Sequence, residues 1–180
     1  MSILGHPFIL TLLFVLVPIW GQSAAGALRN AGIVAAVAVV PMGVLIWQRR
    51  RTGRWKTVDA SERSERPILY RSMFVVLLLL AAYYRFVEPS PIGFQRSVAI
   101  LLMVGVAYAL NRWIKLSLHL AFAGFFGLAL AGIHLGYGLP ILLLIPFLVW
   151  SRLELSRHTN LEVVGGLALG LVAAGILLYF

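Results

Sequence analysis

The chain has 180 residues, of which 61% are apolar and only 12% are charged, and its net charge is +9. Soluble domains usually carry about a quarter charged residues, so the polar side chains here are too few to cover a water-exposed surface, and lipid is the expected solvent. Cysteine is absent, which excludes disulfides, thiolate nucleophiles and cysteine-ligated zinc.

Seven continuous apolar runs are candidate membrane-spanning helices, each of which needs roughly 20 mostly apolar residues. In chain order they cover about 5–21, 28–48, 68–87, 94–112, 117–135, 138–151 and 161–180. The runs lack the alternation that is typical of strands in membrane barrels. The segment 136–140 contains two Gly and a Pro, which predict a turn. In the last run, Gly166 and Gly170 predict a close helix contact.

These runs leave no room for a soluble domain. The sequence therefore predicts one all-α domain over residues 1–180, a polytopic transmembrane helical bundle of six or seven helices. We expect the protein to lie in a cell membrane of the bacterial inner-membrane type.

Three polar segments interrupt the apolar runs: Gln48 to Pro67, Asn111 to His119, and Ser151 to Glu162. An even number of predicted spans separates each from the next, so all three should lie on one face of the membrane. Every Lys and Arg except Arg29, Arg85 and Arg96 lies on or beside that face. Because positive charge is retained in the cytoplasm, the polar face is predicted to be cytoplasmic.

The positive charge flanks apolar spans, which favours lipid headgroups or a phosphorylated substrate over nucleic acid as the partner. The run Arg49 to Arg51 is interpreted as a topology anchor or a contact for lipid headgroups. Oligomeric state cannot be read from the sequence.

Ionisable residues near the membrane are costly and need a reason. His158 and Glu162 are spaced four residues apart, which places them on one face of a helix, where the carboxylate can fix the imidazole tautomer. One His can attack phosphorus, and a second, His119, can protonate the leaving oxygen. Lys and Arg side chains can stabilise the phosphate charge, so the scheme requires neither a metal nor another cofactor.

The spacing around His158 is that of a known motif. Ser151-Arg152, five residues, His158, three residues and Glu162 fit the pattern S-R-x5-H-x3-D, with Glu in place of Asp. The segment Leu116-Ser117-Leu118-His119 retains the Ser and His of a second pattern, P-S-G-H, but not its Pro and Gly.

A third pattern, K-x6-R-P, has two partial matches. Lys56 and Arg63 have its spacing, whereas Arg66-Pro67 has its proline. In the order and spacing of the three motifs, residues 56–166 resemble the type 2 phosphatidic acid phosphatase and haloperoxidase superfamily.

The resemblance implies a membrane lipid phosphatase that acts through a phosphohistidine. It makes His158 the nucleophile, Glu162 its orienting carboxylate and His119 the general acid. The phosphate-binding residues that it implies are Lys56, Arg63 or Arg66, Ser117 and Arg152. The implied substrate is a lipid phosphate such as phosphatidic acid, phosphatidylglycerol phosphate or a polyprenyl phosphate or pyrophosphate. Members of the family commonly face the periplasm or lumen, whereas the charge rule favours the cytoplasm here.

A second hypothesis is a non-catalytic membrane protein that binds anionic lipid or transports a lipid. It rests on the incomplete first and second motifs and on the dense basic loop. It predicts salt-sensitive lipid binding without phosphate release.

Overall fold

The computed structural model describes residues 24–58, 60 and 62–179, which form six helices and no strand. They are α1 (Ala24–Val34, continued by a π-helical turn Ala35–Val39 and by Val40–Arg51), α2 (Arg66–Ala82, continued by a π-helical turn Tyr83–Val87), α3 (Pro91–Leu110), α4 (Leu118–Ile133), α5 (Leu135–Glu154) and α6 (Asn160–Tyr179). The all-α prediction is therefore confirmed for this part of the chain. The predicted span at about 5–21 lies outside the described residues.

Five of these helices are long and apolar enough to cross a membrane: Leu28–Arg51, Arg66–Val87, Pro91–Leu110, Leu135–Glu154 and Asn160–Tyr179. The sixth, α4, has 16 residues, which at 1.5 Å per residue is about 24 Å, short of the roughly 30 Å hydrocarbon core. Nearly all of α4 is buried, including Phe122, Phe125 and Phe126. It is the central helix, so the residues at its start lie inside the bundle.

Small residues bring α4 into close contact with its neighbours. A Cβ on Gly166 would overlap the backbone of Ser117, and one on Gly170 would overlap the carbonyl of Ala121. The predicted close contact of the last helix is confirmed, since only glycine permits this approach. It places the start of α6 against the start of α4.

The turn that the sequence predicts at residues 136–140 is wrong. These residues lie inside α5, and the break falls at His134, whose backbone is extended and whose Nδ1 accepts a hydrogen bond from Gly136 N at 3.1 Å. Pro140 interrupts only one hydrogen bond of the helix, a loss that helices in apolar bundles tolerate. Gly138 instead serves packing, because a Cβ there would overlap the carbonyl of Gly127 in α4.

The candidate functional site

The three polar segments meet at one end of the bundle, which we call the polar end. Arg66 Nη1 donates to Leu116 O at 2.7 Å, and Lys115 Nζ donates to Arg157 O at 2.7 Å. Ser117 N donates to Glu162 O at 2.9 Å. The sequence-based prediction that the three segments share one face of the helix bundle is therefore confirmed.

The geometry around His158 fixes its tautomer. Its Nδ1 lies 3.0 Å from Glu162 Oε2 and 3.1 Å from the carbonyl oxygen of Lys115. Both neighbours are acceptors, so Nδ1 carries the proton and donates, which leaves the lone pair on Nε2. The side chains of His158 and Glu162 are 5% and 13% exposed. The imidazole is thus held in the form that a nucleophile needs.

Glu162 is itself held by the start of α6. Thr159 N donates to Glu162 Oε2 at 3.2 Å, and Glu162 N donates to Thr159 Oγ1 at 3.3 Å. This reciprocal pair is a capping box, which requires Glu or Gln three residues after the Thr. The box accounts for Glu where the motif has Asp, because the longer side chain reaches both Thr159 N and His158. The sequence signal for this capping box is the T-x-x-E pattern from Thr159 to Glu162, which the sequence analysis did not use.

Burial and nearby charge keep His158 neutral. Desolvation is the main cause that lowers its pKa from 6.5 to about 4, and the positive charges of Arg66 and Lys115 act in the same direction. Glu162 opposes them through its hydrogen bond and its charge. Burial also lowers the pKa of Lys115. At neutral pH the imidazole is therefore unprotonated beside two cationic side chains.

Arg66 belongs to this cluster more directly than Arg63 does. Its side chain is buried, with Nε 3.4 Å from Ala60 O, and it contributes to the electrostatic field at His158. Arg63 is exposed and donates to the carbonyls of Arg112 and Trp113, at 3.4 and 3.2 Å. The sequence left Arg63 and Arg66 as alternatives for binding phosphate. Arg66 lies beside His158, whereas Arg63 lies on the exposed surface of the polar end.

Lys56 is not brought into the cluster. Its Nζ lies 3.3 Å from Glu62 Oε1, and the side chain is 76% exposed. Glu65 accounts for this placement, because its buried carboxylate binds Lys56 N at 2.8 Å and fixes the course of the loop. Lys115, which adjoins the second motif, supplies an ammonium group that acts on His158.

Ser117 and His119 lie at the start of α4. Ser117 is fully buried, and its Oγ has no hydrogen-bond partner among the described residues. It precedes the first turn of α4, where free N–H groups and the helix dipole favour an anion. His119 is also buried, in the first turn of α4.

Arg152 ends α5 at the same end of the bundle. Its side chain is only 1% exposed, and its carbonyl accepts from Arg157 N at 3.1 Å. Among the described residues no three His, Asp or Glu side chains converge as a metal site. The polar end thus holds one oriented imidazole on which the cations Arg66 and Lys115 act.

Comparison with known proteins finds no matching family model, no matching curated protein and no matching solved structure. The superfamily resemblance therefore stays a prediction that rests on the motif residues. The hydrogen bonds and distances at the polar end do not depend on that resemblance.

Proposed function

We propose that this chain is a multi-pass membrane protein that hydrolyses a lipid phosphate at its polar end without a metal. The observation that carries the proposal is the orientation of His158, whose Nδ1 is fixed by Glu162 and by the Lys115 carbonyl. An imidazole held in this way, beside buried cations, suits attack on phosphorus better than any structural role that its position suggests.

The proposed reaction has two steps. In the first, His158 Nε2 forms a bond to phosphorus, the bond from phosphorus to the lipid oxygen breaks, and His119 donates a proton to that oxygen. In the second, water loses a proton to His119 while its oxygen attacks the phosphohistidine, which releases inorganic phosphate and restores neutral His158. The part of His119 follows from its place in the second motif.

Electrostatic stabilisation would come from the cations of the polar end, of which Arg66 and Arg152 are buried and Lys115 is half-buried. Arg66, Lys115 and Arg152 can compensate the negative charge that builds on the phosphoryl oxygens. The unpartnered Ser117 Oγ can donate to one oxygen, as can N–H groups in the first turn of α4. Leu116 and Leu118 stand where the second pattern has Pro and Gly, and both are buried at the start of α4.

The substrate class follows from where the site lies. The polar end adjoins helices with exposed apolar residues such as Val75, Leu79 and Leu102, which suit contact with acyl or prenyl chains. A substrate whose tail stays in the bilayer would present its phosphate at this level. Candidates are phosphatidic acid, phosphatidylglycerol phosphate and polyprenyl phosphates or pyrophosphates, and the positive-inside rule favours the cytoplasmic leaflet.

The test is phosphate release from these lipids by the purified chain in detergent with a chelator present. We expect His158→Ala and His119→Ala to reduce the rate by about a thousandfold or more, and Arg49→Gln, at the end of α1, to serve as the matched control. A phosphohistidine in the wild type, absent in His158→Ala, would identify the nucleophile. Full activity in both His variants would refute the mechanism, and salt-sensitive lipid binding without release would favour the non-catalytic alternative.

A further inference from the structure

A groove separate from the His158 cluster opens between the start of α2 and the end of α3. Its volume is about 780 Å³, and its lining includes Arg63, Pro67, Tyr108, Asn111, Arg112 and Trp113. This volume is within the range of about 300–1,000 Å³ that small-molecule sites occupy. Its outer rim holds Trp113, which is 63% exposed, as is typical of a residue at headgroup level.

Asn111 is the unusual residue of this groove. Its side chain is only 5% exposed, and its Oδ1 has no hydrogen-bond partner among the described residues. An unsatisfied buried acceptor is destabilising, so the Asn111 amide in the lining of the groove suits a hydrogen-bond donor from a ligand. Because χ2 of Asn is a soft torsion, the amide can turn towards a hydroxyl in the groove and either donate or accept.

Two guanidinium groups stand at the mouth of the groove. Arg63 is held by the carbonyls of Arg112 and Trp113, and Arg112 stacks over the Trp113 ring at 4.1 Å. Each guanidinium has five N–H donors, so both retain donors for an anion after these contacts. Within the described part of the chain, both groups are positioned by contacts with residues 112 and 113.

We propose that this groove binds one resident anionic glycerophospholipid whose headgroup carries a hydroxyl. Its phosphodiester lies against Arg63 and Arg112, its hydroxyl pairs with the Asn111 amide, and an acyl chain follows the apolar wall at Pro67 and Tyr108. The positive mouth, the buried unsatisfied amide and the apolar wall select this occupant together. The site does not depend on catalysis, since a phosphodiester bound here meets no nucleophile.

The test measures lipid retention by native mass spectrometry of the full chain in detergent. The probes are phosphatidylglycerol, phosphatidylmethanol, which has the same charge but no hydroxyl, and phosphatidylcholine. We expect phosphatidylglycerol to bind about fivefold more tightly than phosphatidylmethanol, the gain of one hydrogen bond, and phosphatidylcholine to bind weakly. Inorganic phosphate in excess should not displace the lipid, because it lacks the chain.

Variants separate the contribution of the Asn111 amide to lipid binding from that of the two arginines. Asn111→Leu should remove the preference for phosphatidylglycerol while it leaves phosphatidylmethanol binding unchanged. The double variant Arg63→Gln with Arg112→Gln should weaken both by about tenfold, whereas Arg29→Gln with Arg85→Gln, which removes the same charge at the opposite end of the bundle, should leave both affinities and the preference unchanged.

Thermal unfolding keeps the proposal testable if a variant is poorly folded. Since Asn111→Leu removes an unsatisfied acceptor, the lipid-free protein should be at least as stable as the wild type, but the stabilisation specific to phosphatidylglycerol should be lost. Equal binding of the two anionic lipids by the wild type, or an unchanged preference in Asn111→Leu, would overturn the proposal. His158→Ala should bind phosphatidylglycerol normally, so the failure of the phosphatase mechanism would leave this site intact.

Discussion

The two ends of the bundle treat their charges differently. At the end opposite the polar end, Arg29 pairs with the carboxylate of Glu88, which also accepts from Tyr83 Oη at 2.6 Å. At the polar end, Arg66 and Lys115 bind backbone carbonyls instead. A carbonyl fixes the position of a cation but carries no net charge, so these two contacts leave the cations charged; Glu162 is a carboxylate that acts electrostatically on both.

This difference indicates what each end is for. The Arg29–Glu88 pair is electrically satisfied and needs nothing further, as expected of a structural anchor. Under the proposed function, a phosphate group would supply the counter-charge for Arg66 and Lys115. Variants at the two ends should therefore differ in their effect on phosphate release.

Among the cationic residues, the largest effect is expected from Arg66. Arg66→Gln removes the buried cation that acts on His158, and we expect phosphate release to fall by about a hundredfold or more. Arg63→Gln removes the same charge from the rim and should cost about tenfold or less. Rates for both variants on one lipid phosphate distinguish the two, and the reverse order would mean that Arg63 is the phosphate-binding residue.

The two lysines provide the next comparison. Lys115→Ala removes the ammonium group near His158, and we expect a loss of about tenfold to a hundredfold in phosphate release. Lys56→Ala removes a side chain that is 76% exposed and paired with Glu62, and we expect no more than about a threefold loss. If Lys56→Ala were the more damaging variant, the loop would have to close over the substrate and bring Lys56 to the phosphate.

The pH dependence tests the field at His158 directly. A pKa lowered to about 4 means that the imidazole stays neutral, and nucleophilic, as the pH falls from 7 towards 4. The acidic limb of the rate of phosphohistidine formation should therefore lie well below 6.5. Lys115→Met removes a positive charge that opposes protonation, so the pKa should rise and the limb should move towards neutral pH. A limb at 6.5 in the wild type, unmoved in Lys115→Met, would mean that these charges do not act on His158.

Sequence reasoning succeeded where one local rule decides the outcome. Long apolar runs indicated the helices, and Gly166 and Gly170 indicated the close contact with α4. The order and spacing of the polar segments indicated that they share one end. Each of these depends on composition or on an even number of spans, which small errors in helix boundaries do not change.

It failed where tertiary contacts override a local pattern. The glycines and proline at 136–140 suggested a turn, but packing against Gly127 keeps them helical. The spacing of Lys56 and Arg63 matched a motif, but Glu62 and Glu65 hold Lys56 in the exposed loop. The choice between Arg63 and Arg66, and the nearness of Lys115 to His158, depend on how three distant segments fold together, which no spacing encodes.

The smallest effect is expected at the opposite end. Arg29→Gln breaks an ion pair in which the Arg29 side chain is 62% exposed, and exposed pairs contribute about 0–1 kcal/mol. We expect a shift of the thermal midpoint in detergent of only a few degrees, with phosphate release within about twofold of the wild type. Glu88→Gln should cost more stability than Arg29→Gln, because it also weakens the hydrogen bond from Tyr83, yet it should not alter the rate. A large loss of activity in either variant would show that the two ends are coupled. The contrast between a structural ion pair at one end and a proposed phosphate site at the other would then no longer hold.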